Sequence, residues 1–222
     1  MKKTLEEQFK TRDNFPQEVF DELYTRVDDP WGLREKMYPY LKTVFEWARP
    51  SIHLPIFRYI DIGCGYGQAF QPMADVFGYP RKVVGVDISS VVLERARNRF
   101  TQWPGISMME FFEMKIQDPP GQTTWRLGPL SYDLVTSFNT LYYVPRKERE
   151  QAYENVCELS RKYILLADGY KTKRFRGFPE RYGFKQIGGT FCQSNEKGNI
   201  KYKGTDEYAP IEVFNANLYE RK

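Results

Sequence analysis

Residues 58–70 read RYIDIGCGYGQAF, and the placement of acid and glycines in this stretch decides what fold surrounds it. An apolar run ends in Asp61, and Gly63, Gly65 and Gly67 follow at alternate positions. Glycine reaches positive φ at little steric cost, so a glycine-rich turn after a strand lets backbone come close to a nucleotide-like ligand. The dinucleotide fingerprint G-x-G-x-x-G needs a third glycine where this chain has Gln68. An acid at the strand end also sits badly beside a pyrophosphate, because two negative groups would be forced together. A cationic or zwitterionic ligand would accept it. No Gly-Lys-Ser/Thr follows, which excludes a P-loop in this segment.

Downstream, residues 82–90 read KVVGVDISS. Asp87 ends this apolar run 20 residues beyond Gly67. A carboxylate there can accept both hydroxyls of a ribose, and Ser89 or Ser90 can cap the helix that follows. Apolar runs at Phe57–Ile62, Val83–Val86, Ser107–Ile116, Tyr132–Phe138 and Tyr163–Ala167 are expected strands. Amphipathic segments at Gln68–Phe77, Ser89–Phe100 and Arg146–Arg161 are expected helices between them. Such alternation argues for a parallel sheet of βαβ units. Two later runs, 182–194 and 208–220, read as strands joined by the polar stretch NEKGNIKYKGTDE, a terminal hairpin. Upstream, helices are expected over Pro16–Arg26 and Leu33–Ala48, separated by DDPWG. Pro39 predicts a kink in the second or a later start.

A chain of 222 residues is long enough for one domain with a single core. Its net charge of +4 falls short of a nucleic-acid footprint, and KTKRFR at Lys171–Arg176 is the one dense basic run. The three cysteines, Cys64, Cys157 and Cys192, form no CxxC pair, which argues against a disulfide framework or a zinc site. No N-terminal signal-like stretch and no run of ~18 apolar residues is present, so a cytoplasmic, reduced setting is expected. No HxH or carboxylate cluster points to a metal.

With the two acids and the glycine turn in place, the chain resembles the class I S-adenosylmethionine-dependent methyltransferases. The resemblance rests on YIDIGCGYG, VVGVDIS and SYDLVTSFNTLYYV (Ser131–Val144), in that order, and covers roughly residues 55–168. It implies an α/β fold, a Rossmann-like, doubly wound, seven-stranded and mostly parallel sheet with a C-terminal antiparallel hairpin. Residues 1–222 would form a single domain, with 1–50 an N-terminal helical cap on the core of 51–222. It implies S-adenosyl-L-methionine as cofactor and S-adenosyl-L-homocysteine as product. Asp61, Gly63, Cys64, Gly65 and Gly67 would hold the methionine portion and Asp87 the ribose, with Ile88 against the adenine. An acid after the third strand often contacts the adenine amino group in this family. The aligned residue here is Lys115, with Asp118 three residues on, and a lysine cannot accept a hydrogen bond from an amine. Either the register differs, or Met114, Ile116 and backbone atoms hold the adenine.

Methyl transfer from a sulfonium is an in-line displacement, so the protein mainly aligns the nucleophile and excludes water. A neutral amine acceptor needs no base, whereas a hydroxyl usually does. The single histidine, His53, precedes the first strand, on the wrong side for such a base. Phe138, Asn139, Thr140, Tyr142 and Tyr143 follow the fourth strand, beyond whose end ligands bind in open α/β sheets. Of these, Phe138 is expected beside the cofactor, and Asn139, Tyr142 and Tyr143 on the acceptor side as catalytic candidates. NTLYYVP is not the Asn/Asp-Pro-Pro-Phe/Tyr motif of enzymes that methylate exocyclic amines of bases.

A second, weaker resemblance joins DDPWGLREKMYPYLKTVF (28–45) and LYY to the nodulation-type and related small-molecule (sugar) N-methyltransferases. It implies helices covering the cofactor, with Trp31 and Tyr38 facing its methionine end or the acceptor pocket. Asn139 stands where those relatives often carry an acid. The expected function is methylation of an amine or hydroxyl on a sugar-like or natural-product scaffold. The expected partner is that small-molecule acceptor rather than nucleic acid or membrane, with the chain a monomer or homodimer. The alternatives are RNA or protein methylation docked by Lys171–Arg176, an inert cofactor-binding module, and a nicotinamide enzyme, which Gln68 and Asp61 disfavour.

Overall fold

A computed structural model describes residues 17–26, 37–101, 103, 106–119, 127–168, 178–193, 197–201, 208–210 and 213–222. Helix α1 (Gln17–Arg26) turns Val19 and Tyr24 inward. Helix α2 (Met37–Ala48) buries Met37, Leu41, Val44, Phe45 and Ala48, one stripe at helical spacing. Among the described residues α2 runs from Met37, with Pro39 its third residue.

The alternating region follows as β1 (Arg58–Ile62), α3 (Phe70–Phe77), β2 (Lys82–Asp87), α4 (Ser90–Arg99), β3 (Met108–Glu113) and β4 (Tyr132–Phe138). Then come α5 (Arg149–Leu159), β5 (Ser160–Asp168), β6 (Phe184–Gln193), β7 (Lys197–Lys201), β8 (Tyr208–Pro210) and β9 (Val213–Arg221). Seven strands form one sheet in the order β3-β2-β1-β4-β5-β9-β6. β1 to β5 pair in parallel, and β9 runs antiparallel to both β5 and β6. The expected doubly wound sheet with a closing hairpin is therefore present.

Two details differ from expectation. The third strand ends at Glu113, because Met114 to Ile116 turn away into the loop that crosses the strand end. The polar stretch after β6 is not merely a connection. Its Lys197–Lys201 pairs antiparallel with Tyr208–Pro210 as a separate two-stranded sheet, which continues the hairpin past the main sheet. Its alternation is short and polar, so period alone did not mark it.

Strand alternation sends Tyr59, Val83, Leu134 and Leu165 to one face, against α2, α3 and Leu93 of α4. Ile60, Val84, Val135 and Ile164 go to the other, against Ala152, Tyr153 and Val156 of α5. At the strands' amino ends, Asp133 is 1% exposed and accepts the Phe57 and Arg58 N–H groups at 2.9 and 3.0 Å, with Arg161 paired to its other oxygen. At the carboxyl ends, strand order reverses between β1 and β4. That reversal opens the crevice in which open α/β sheets bind ligands.

Candidate active site

The turn after β1 forms one wall of the crevice. Gly63 and Gly67 have φ of 73° and 74°, a region costly for other residues. Neither has room for a side chain: a Cβ on Gly63 would stand 2.0 Å from Thr140 Oγ1, and one on Gly67 2.5 Å from the Phe100 ring. The N–H groups of Gly63 and Cys64 both donate to the Val86 carbonyl, at 2.7 and 2.9 Å, which fastens the turn to β2. Cys64 itself is buried, and burial pushes its thiol well up, so it packs rather than reacts.

The two acids stand on the strands that flank this turn. Asp61 is 3% exposed and accepts a 2.6 Å hydrogen bond from Thr136 Oγ1, its register partner on β4. Burial pushes its pKa up to about 7; the Thr136 bond lowers it and the charge of Asp87 raises it. Asp87 ends β2 and accepts the Gly65 N–H on Oδ2 at 2.9 Å and the Ser89 N–H on Oδ1 at 3.0 Å. Burial raises its pKa too, against the lowering effect of these backbone donors. The Ile88 N–H also stabilises its charged form, and a carboxylate's roughly four lone-pair sites still leave it able to accept from a ligand's hydroxyl.

Sequence reading missed how α1 closes this site. Its Asp21 accepts a 2.6 Å hydrogen bond from Ser89, the N-cap residue of α4, whose oxygen also receives the Val92 N–H at 3.4 Å. Gln17 Nε2 donates to Glu113 at the end of β3 at 2.6 Å. Tyr24 meets Tyr66 of the glycine turn edge-on, and Phe20 meets Tyr143 in the same way at 5.6 Å. One helix thus touches the glycine turn, the ends of β2 and β3, and the segment after β4. No local signal in PQEVFDELYTR announces those partners, because each is at least 40 residues away in sequence.

The remaining candidates scatter around the same edge. Asn139 stands at the tip of β4 with φ 51°, held by its N–H to the Ala167 carbonyl at 2.8 Å. Phe138 is half-buried and edge-on to Phe45 at 5.6 Å. Tyr143 is half-buried in a short 3-10 turn; the side chain of Tyr142 in that turn lies outside the described residues, as do Trp31 and Lys171–Arg176. Beyond β3, Lys115 is exposed, Ile116 is buried in the α5-side core, and Met114 packs against that core. Asn155 of α5 anchors this loop, donating to the carbonyls of Ile116 and Asp118 at 2.6 and 2.8 Å. Ile88 is half-buried beside Asp87. Tyr38 donates to Asp75 of α3, and that bond first, then burial and the Asp75 charge, raise its pKa. His53 is exposed at the opposite end of the sheet, its N–H donating to the Tyr163 hydroxyl at 3.3 Å. Among the described residues no cluster of His, Cys, Asp and Glu is arranged to hold a metal, and no helix is long and apolar enough to cross a membrane.

Residues 60–162 match a protein family described as a methyltransferase domain. The N-methyltransferase NodS from Bradyrhizobium japonicum WM9, solved with S-adenosyl-L-homocysteine, is similar in fold, with a TM-score of 0.66 at 14% identity, over 92% of this chain and 97% of that one. The magnesium protoporphyrin IX methyltransferase ChlM from Synechocystis PCC 6803, solved with bound SAM, gives 0.60 at 17% identity, over 83% and 79%. The [4+2]-cyclase SpnF gives 0.61 at 12% identity, over 81% and 76%, so the fold also serves other chemistry. A search of curated protein sequences finds no match. Residues 60–162 thus match a methyltransferase-domain family, and the fold is shared with S-adenosylmethionine-dependent methyltransferases. The glycine turn without room for side chains, the buried Asp61 and the doubly anchored Asp87 fit that cofactor.

Proposed function

We propose that the protein transfers a methyl group from S-adenosylmethionine to an amine of a small molecule, with a hydroxyl acceptor as the second choice. The observation that carries this reading is the cover formed by α1. Phe20 against Tyr143, and Asp21 against Ser89, draw a helix over the crevice mouth and wall it with rings. Such a mouth suits a small acceptor enclosed beneath a helix better than a polymer laid across an open edge. The similarity in fold to NodS and ChlM runs in the same direction. The chain is read as one domain, with residues 1–50 as the cap.

When bound, S-adenosylmethionine supplies a methyl already activated on a sulfonium. The protein's part is then to bind, orient and keep out water. Asp61 and the glycine turn hold the methionine end, and Asp87 receives the ribose hydroxyls. Ile88, Met114 and Ile116 bound the adenine side. Asn139, fixed at the strand tip, and Tyr143, braced by Phe20, orient the acceptor's nitrogen. An amine is favoured because His53, the chain's one histidine, lies at the far end of the sheet, Asp61 and Asp87 serve the cofactor, and the rim acids Asp21 and Glu113 are bonded to Ser89 and Gln17.

The test is an assay of S-adenosylhomocysteine release with amino sugars and small amines, alongside hydroxylated compounds, RNA and protein. Turnover with a small amine, reduced by Asn139→Ala with cofactor affinity unchanged, is expected. Turnover confined to RNA or protein overturns the acceptor reading.

A further inference from the structure

A carboxylate buried as fully as Asp61 is costly unless its charge is met by donors or a cation. Three side chains line up on one face of the sheet at this point. Tyr59 stands two residues earlier on β1, and Thr136 lies directly across from Asp61 on β4. Thr136 Oγ1 is 2.6 Å from Asp61 Oδ1 and 2.7 Å from the Tyr59 hydroxyl. The donor directions follow from counting protons. An ionised carboxylate only accepts, so the single Thr136 proton points to Asp61, and Tyr59 must donate to Thr136. The chain runs one way, from Tyr59 to Thr136 to Asp61, and all three residues are buried.

This arrangement leaves the carboxylate incompletely matched. Among the described residues no donor reaches Asp61 Oδ2. The ionisable groups that face it are Tyr59 on its own strand, Asp87 on β2 and Cys64 in the turn, each neutral or acidic. Beyond Asp87 stands Asp21 of α1, another acid. Arg97 of α4 is directed to the Phe111 carbonyl and ring instead. α2 and α3 meet this face with apolar side chains such as Phe45 and Phe70. Among the described residues, a buried carboxylate with one oxygen bonded to Thr136 and no facing cation suits a cation that a ligand brings.

The geometry points to Thr136 as a positioning residue, backed by Tyr59, that holds Asp61 ionised and turns its open oxygen toward the α-ammonium of the cofactor. It rests on the reading above that Asp61 meets the methionine end. Binding of that ammonium requires the ionised carboxylate, so affinity rises with pH as Asp61 loses its proton. Removing the Thr136 hydroxyl removes a hydrogen bond that favours the charged form, and the midpoint of that rise moves to higher pH.

The experiment is calorimetric titration of the full-length protein with S-adenosylhomocysteine between about pH 5.5 and 8.5, across the range in which a raised carboxyl titrates. Wild type is compared with Thr136→Val, Thr136→Ser and Tyr59→Phe, each checked by thermal melting. The ligand's own amino group titrates alike against all four, so differences in midpoint belong to the protein. Thr136→Val is expected to raise the midpoint by about one pH unit and weaken binding about fivefold at pH 7. Thr136→Ser is expected to restore the wild-type profile, and Tyr59→Phe to shift it the same way by less. A folded Thr136→Val with the wild-type midpoint overturns the proposal. If that variant does not fold, an unmoved midpoint in Tyr59→Phe does so. Failure of wild type to bind at any pH overturns the cofactor reading itself, and the two failures are thereby distinguished.

Discussion

Asp61 shows how a site residue works against the stability of the chain that holds it. Its folded-state pKa of about 7 lies above the ordinary carboxylate value, so between that value and about 7 the folded state binds more protons than the unfolded one. Stability of the ligand-free protein therefore falls as pH rises through this window, by up to about 1.4 kcal/mol per pH unit from this group. Asp61→Asn keeps an acceptor for Thr136 and has no charge to bury. It is expected to melt higher than wild type at pH 8, with the difference vanishing near pH 4, and to bind S-adenosylhomocysteine about 10- to 100-fold more weakly. Melting curves at the two pH values and one calorimetric titration check this. Gly63 carries a different constraint. Gly63→Ala forces a methyl into Thr140 at positive φ and is expected to cost about 2–4 kcal/mol by urea unfolding. Thr140→Ala in the same chain should recover part of that loss but not the part due to φ.

At the scale of elements, α1 matters most, since it joins parts of the site that the sheet alone leaves separate. Its bonds to Ser89 and Glu113 and its two aromatic contacts all lie along the crevice rim. Phe20→Ala removes the edge contact to Tyr143, worth about 0.5–1.5 kcal/mol beyond burial. It is expected to weaken S-adenosylhomocysteine binding about 3- to 10-fold through faster release, measured by stopped flow. The melting temperature should stay within ~3 °C of wild type, because the sheet and its two main cores do not depend on that contact. The same fold-stability distinction explains the loop after β3. Asn155 ties its carbonyls to α5, so Met114 and Ile116 are held by a helix on the opposite face from Asp61.

At the scale of the molecule, stability and ligand binding lie at opposite ends of the strands. Asp133 fastens the chain entering β1 to β4 at the amino ends, while Asp61, Asp87 and Asn139 stand at the carboxyl ends. Asp133→Ala removes the acceptor of two part-buried N–H groups and the partner of Arg161, and is expected to lower unfolding free energy by about 1–3 kcal/mol. Affinity for S-adenosylhomocysteine at a temperature where the variant is folded should be unchanged, and a parallel loss of affinity would show the two ends to be coupled. The sheet order and the crevice at the β1/β4 reversal were legible from strand–helix alternation and from the acids that end the first two apolar runs. Tyr132–Phe138 coincides with β4 because Tyr132, Leu134, Val135, Thr136 and Phe138 favour a strand and Ser131 and Asn139 bound the run. The small β7–β8 sheet was not legible, since five residues with one large apolar side chain, Ile200, and a three-residue partner carry too little period to register.

The sequence by itself determined the glycine turn, the two acids and the alternation that makes a doubly wound sheet, since these depend on neighbours along the chain and on local period. Tertiary structure alone decided which distant groups meet. Thr136 read only as a good strand residue, and its hydroxyl gained a role when parallel pairing set it opposite Asp61. Asp21 and Gln17 read as the polar face of a helix, and became part of a cover when that helix crossed the ends of β2 and β3. Hydrogen bonds between residues 68 to 96 positions apart are set by register and packing, and no pattern within one segment carries that information.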